Sequence, residues 1–167
     1  TNTRIPNDLI FGTDQYYPNV SLLMHMDGAD GGTTFTDSGS ASLTVTANGN
    51  TSTSTDVAKF GGSSGYFDGS GDYLTFNSAG LEFGSDNFTI EGWVYLTSTS
   101  RKAIYHGSVG VDWSIGIDYN STGSSNSFGI WASSTGSSWN LLNADPGGNG
   151  IGTITPSQNT WVHIAYV

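Results

Sequence analysis

Hydrophobic positions in this chain recur at intervals of two and in short runs. Residues 88–96 show it most clearly: Phe88, Ile90, Gly92, Val94 and Leu96 share one face, and Thr89, Glu91, Trp93 and Tyr95 share the other. A period of two is the mark of a β-strand, and bulk on both faces predicts a strand covered on both sides. The same alternation sets Trp113, Ile115, Ile117 and Tyr119 against Ser114, Gly116 and Asp118. It also sets Trp161, His163, Ala165 and Val167 against Val162, Ile164 and Tyr166. Residues 20–26 are apolar enough for a doubly covered strand, and residues 43–47 alternate as a short one. Residues 103–106, 127–132 and 138–142 continue the meander. Residues 66–68 and 73–76 flank Gly69-Ser70-Gly71-Asp72 and predict a hairpin. Residues 27–42 and 48–56 read as loops, and a short turn is predicted near residues 78–83. Strands separated by turns about every 8–12 residues are the rhythm of a sandwich or barrel.

Composition agrees. The chain has 167 residues, enough for one domain with a real core, and it is rich in Gly, Ser, Thr and Asn. Four basic residues against fourteen acidic ones give a formal net charge of −10. A phosphate backbone or an anionic membrane surface would be repelled, so nucleic-acid binding is not expected. No apolar run approaches the roughly 18 residues of a spanning helix, so membrane insertion is not expected either. Cysteine is absent, so redox chemistry does not fix the compartment. Four Asn-x-Ser/Thr sequences, at Asn19, Asn50, Asn87 and Asn120, are what chance gives in so Asn/Ser/Thr-rich a chain. Residues 1–18 mix polarity without periodicity and read as an N-terminal arm, with residues 19–167 as the domain.

Five short sequences then occur in series: Ser21-Leu22-Leu23-Met24-His25-Met26-Asp27-Gly28, Phe60-Gly61-Gly62-Ser63-Ser64-Gly65, Tyr66-Phe67-Asp68-Gly69-Ser70-Gly71-Asp72-Tyr73-Leu74, Phe88-Thr89-Ile90-Glu91-Gly92-Trp93-Val94 and Trp161-Val162-His163-Ile164-Ala165-Tyr166-Val167. In this order the chain resembles the laminin-G-like branch of the concanavalin A-like lectin/glucanase superfamily. The resemblance implies an all-β jelly-roll sandwich of antiparallel strands. It also implies further strands beyond Val167, expected either in a longer chain or from a neighbouring subunit. The first and third sequences are similar to those of phage virion proteins: tail fibres, appendages and capsid decorations.

Calcium is the cofactor most in keeping with these residues. It takes several hard oxygen ligands from carboxylates and carbonyls. Asp27, Asp30 and Asp37 stand among flexible glycines, and Asp68 and Asp72 bracket a second turn. Members of the resembled superfamily often bind calcium in such loops, although Asp and Gly also simply make good turns. Sugars stack on aromatic faces beside Asp, Asn and backbone groups. Of five tryptophans, Trp139 follows a polar loop and precedes Asn140, and Trp131 is next in promise. Trp93, Trp113 and Trp161 lie in strong alternation and are expected in the core. His25 and His163 sit among apolar neighbours and are expected in a core or interface.

Enzyme chemistry finds little. A retaining glycosidase needs two carboxyl groups about 5–5.5 Å apart, and the superfamily's glucanases carry Glu-x-Asp-x-Glu on one strand. Here the only glutamates are Glu82 and Glu91, and neither has an acidic residue two positions away. No Ser-His-Asp set, zinc spacing or phosphate loop stands out. The expectation is a non-enzymatic virion structural or appendage protein on the virion exterior. It would serve assembly, decoration or host attachment, with virion subunits, copies of itself or cell-surface glycans as partners. The alternative is a calcium-dependent carbohydrate-binding module of a secreted bacterial adhesin or glycan-degrading enzyme, extracellular or on the bacterial surface.

Overall fold

A computed structural model of the chain describes residues 15–77, 81, 86–109, 112–119, 127–135, 140–144 and 156–167. They form ten antiparallel strands, with one 3-10 turn at Tyr17–Asn19 as the helical element among them. The chain divides into two compact units, Thr1–Glu82 and Phe83–Val167.

In the first unit, β1 (Val45–Asn48) pairs with β4 (Tyr73–Phe76), and β2 (Ser52–Ser54) pairs with β3 (Ser64–Tyr66). The hairpin expected between residues 66–68 and 73–76 is therefore absent. Both segments instead pair with the 45–54 stretch, which had read in part as loop, and the two strand paths turn a corner together. Asn50 and the 68–72 turn meet at that corner. Asp72 Oδ1 accepts from Asn50 N at 2.8 Å, Asp72 Oδ2 from Asp68 N at 2.8 Å, and Asp68 Oδ2 from Asn50 Nδ2 at 3.0 Å. Side-chain bonds take the place of ladder bonds there, so the strands cannot continue across the turn.

Residues 20–26 do not form a strand. They make one isolated bridge, Met24 to Asp37, and Met26 at φ 56° ends the extended run. Leu23 and His25 are exposed, so this segment lacks double cover. Its place is fixed by Asp37, which is buried and accepts from Leu23 N (2.9 Å), Gly39 N (2.7 Å) and Leu43 N (2.7 Å). Burial alone would raise its carboxyl pKa; the three N–H donors outweigh that and hold it below the usual range. The end of the expected N-terminal arm is fastened to the same loop, since Tyr17 Oη donates to Ser38 O at 2.7 Å.

The second unit has two layers. β6 (Lys102–Val109), β7 (Asp112–Tyr119), β8 (Phe128–Ala132) and β9 (Leu142–Ala144) form a meander in that order. β5 (Ile90–Tyr95) pairs with β10 (Trp161–Tyr166). Ile115, Ile117 and Ile130 are buried between the layers, against Phe88, Ile90, Ile104, Tyr105 and Tyr166. The strand expected at residues 138–142 falls partly outside the described residues and meets β9 at Leu142, and the turn near residues 78–83 lies largely outside the described residues.

The outer face of β5 and β10 departs from expectation. Trp93 is 41% exposed instead of buried in the core. Its ring lies 5.1 Å from that of its cross-strand partner His163, which is exposed too, and His163 Nε2 stands 3.4 Å from Glu91 Oε2. Tyr95 and Trp161 make the next ring pair at 5.4 Å. Bulk on both faces of β5 thus serves one core and one partly exposed aromatic strip.

Candidate ligand-binding site

The second face of the four-stranded sheet, away from the isoleucine core, is set by register. His106 is opposite Gly116, and Gly116 is opposite Trp131. One row along, Ala103 is opposite Asp118, and Asp118 is opposite Gly129. A bulge between Ala103 and Tyr105 makes this possible. Ile104 and Tyr105 are consecutive, yet both pack on the core. Strict alternation would have put His106 on the core side with Ile104; the extra residue carries it to the side of Asp118.

Asp118 is the centre of this face. Its side chain is 3% exposed. Oδ1 lies 2.6 Å from His106 Nε2, and Oδ2 accepts from Arg101 Nη2 at 2.5 Å and from Arg101 Nε at 3.1 Å. A carboxylate buried without partners would cost several kcal/mol. Burial alone would raise the Asp118 pKa; the hydrogen bonds and charges of His106 and Arg101 outweigh it and hold the carboxyl below its usual range. Asp118 thus fixes two side chains that reach further out: Arg101 is 59% exposed and His106 is 25% exposed.

Gly116 forms the floor between His106 and Trp131. A Cβ there would sit 3.4 Å from His106 Cδ2 and 3.9 Å from Trp131 Cε3. Gly129, beside Asp118, is also buried. A small residue between an imidazole and a half-buried indole, with the Arg101 guanidinium on the neighbouring Asp118, leaves a polar face with one apolar wall. Such a face can hold a ligand by charge-assisted hydrogen bonds and by ring contact on Trp131.

Of the expected sugar-binding residues, Trp131 is on this face. Asn140 is exposed but turned inward on its own loop: Oδ1 accepts from Ser134 N at 3.0 Å, and Nδ2 donates to Ser134 Oγ at 2.8 Å. Trp139 lies outside the described residues, as does the Trp113 side chain. Arg101, His106 and Asp118 were not singled out from the sequence. The signal that could have found them is a lone carboxylate on the small-residue face of β7, with Ser114 and Gly116.

The expected metal ligands are spread over separate loop contacts. Asp27 Oδ2 lies near Gly61, and Asp30 Oδ1 accepts from Thr55 N at 3.0 Å. Asp37 spends both oxygens on three backbone N–H groups. Asp68 and Asp72 do come together, but as the corner clasp with Asn50. Among the described residues no three His, Cys, Asp or Glu side chains group to hold a metal ion.

A laminin-G family model, described as the concanavalin A-like lectin/glucanases superfamily, matches residues 68–167, more than half of the chain. No curated protein and no solved structure matches. With its antiparallel all-β architecture and this match, the chain belongs to the concanavalin A-like lectin/glucanase superfamily.

Proposed function

We propose that the chain is a non-enzymatic recognition module that binds glycans on the Asp118 face of its four-stranded sheet. The observation that carries this is the geometry there: Arg101 and His106 are held by a buried carboxylate, and Trp131 flanks Gly116 across from His106. Sugars ask for polar groups whose positions are fixed and for an aromatic surface, and this face offers both. The setting we propose is a virion appendage, tail fibre or capsid decoration, as the first-half sequences suggest. Localisation is then the virion exterior, with cell-surface glycans as partners. A secreted or bacterial surface protein would use the same face in the same way.

The non-enzymatic part rests on the carboxylates. Asp118 is tied to two donors, and Glu91 stands beside His163 on the other sheet. Neither is placed as the pair that flanks a scissile bond in a glycosidase. In this proposal recognition is independent of metal.

The test is a glycan array probed with the whole chain, with calcium and again with a chelator, for wild type and Trp131→Ala. Binding under both conditions that disappears in Trp131→Ala is the expected result. Binding lost with the chelator would make calcium part of recognition. No binding under either condition would leave assembly as the function. That second reading has its own observation, the aromatic strip of exposed Trp93 and His163 with half-buried Tyr95 and Trp161.

A further inference from the structure

A site for a neutral sugar presents acceptors as well as donors, because each hydroxyl does both. On the Asp118 face the more exposed of the two groups held by the carboxylate is the Arg101 guanidinium, which only donates. The one carboxylate is buried, with His106 on Oδ1 and Arg101 on Oδ2. A guanidinium carries five N–H bonds, and two of those on Arg101 go to Asp118. Among the described residues the other three have no partner, on a group that is 59% exposed. Its plane is fixed by the paired contact, so these donors are aimed before any ligand arrives.

The charge distribution agrees. Residues 83–167 hold five of the chain's fourteen acidic residues (Asp86, Glu91, Asp112, Asp118 and Asp145), leaving nine in residues 1–82. They also hold two of the four basic residues, Arg101 and Lys102, which are consecutive. Lys102 Nζ donates to Ser100 Oγ at 2.9 Å, so the second cation is held at the start of β6. Formal charge is thus −3 over residues 83–167 (two basic, five acidic) against −7 over residues 1–82 (two basic, nine acidic), so an anion is repelled less by the half that carries Arg101.

We propose that the ligand of this face is an acidic glycan, whose carboxylate or sulfate group is taken by Arg101 while its sugar ring lies against Trp131. This rests on the glycan reading above and specifies its substrate class. Carboxylate and sulfate share the chemistry that Arg101 recognises: paired oxygens accepting parallel N–H bonds.

Titration calorimetry on the whole chain tests it with three probes of matched length: an oligogalacturonate, a sulfated galacto-oligosaccharide and a neutral galacto-oligosaccharide. At least one charged probe binds about tenfold or more tighter than the neutral one. Arg101→Gln lowers the charged probe far more than the neutral one, so most of the difference between them disappears. Arg101→Lys, which keeps the charge without the fork, recovers part of the difference. Trp131→Ala weakens every probe alike. Equal affinity for all three, or Arg101→Gln lowering all equally, overturns the acidic class while leaving a glycan site in place. Binding of no probe overturns both. The two charged arms identify the anion, and a cooperative melt well above the assay temperature with a wild-type circular dichroism spectrum shows that each variant is folded.

Discussion

Asp118 decides both how the β6–β7 pair is held and what the polar face presents. Its folded-state pKa lies below the ordinary carboxylate value of about 4. A depressed carboxylate pKa contributes stability that is complete above the unfolded value and is lost as pH falls through the folded one. Asp118→Asn should therefore cost about 1–3 kcal/mol near neutral pH, through weakened charge-assisted bonds. The gap from wild type should close as pH drops below about 4. Urea unfolding of both proteins across that range measures it, and a gap that stays constant would contradict the assignment. At this scale the sequence was only partly legible. Trp131 could be singled out by its chemistry. His106 could not be placed, because its phase with Ile104 points it to the core and only the bulge turns it to Asp118. Trp93 is exposed and not in the core for a related reason: alternation tells which residues share a face, not which face is covered.

Long alternating strands survived the passage from sequence to structure best. β5, β7 and β10 appear almost where their periodicity predicts them. The failures are segments where side chains compete with the backbone ladder. Residues 20–26 are governed by the Asp37 carboxylate, and the 66–76 segment by the corner clasp of Asn50, Asp68 and Asp72. Asp and Asn in a turn announce such bonding, but not its partners, which lie some 18–22 residues away. Gly49 tests the corner. It has φ 71°, and a Cβ there would run into Asp72 Oδ1 and Gly71 O. Gly49→Ala should therefore cost about 2 kcal/mol, from backbone strain and from displacing the clasp. Chemical denaturation reads the loss. The control is Gly71→Ala, also at positive φ but with nothing within 4 Å, which should cost less. Equal losses would mean the clasp does not hold the corner.

At the scale of the molecule, fold class was legible because it rests on period, turn spacing and composition, which many residues share. The site was less so, because it rests on a handful of residues brought together by register and one bulge. The partly exposed strip on β5 and β10 carries the assembly reading. If it meets another copy, light scattering on the whole chain will show an oligomer that Trp93→Ala shifts toward monomer. A monomer in both proteins would contradict that role. Recognition on the other face is tested by an amide and indole NMR titration of the whole chain with the glycan it binds best. Shifts are expected at the Trp131 indole and at the amides of Gly116, Asp118 and Gly129, with the Trp93 indole unmoved. Shifts at Trp93 and Trp161 with the Asp118 face silent would contradict it and move recognition to the β5–β10 strip.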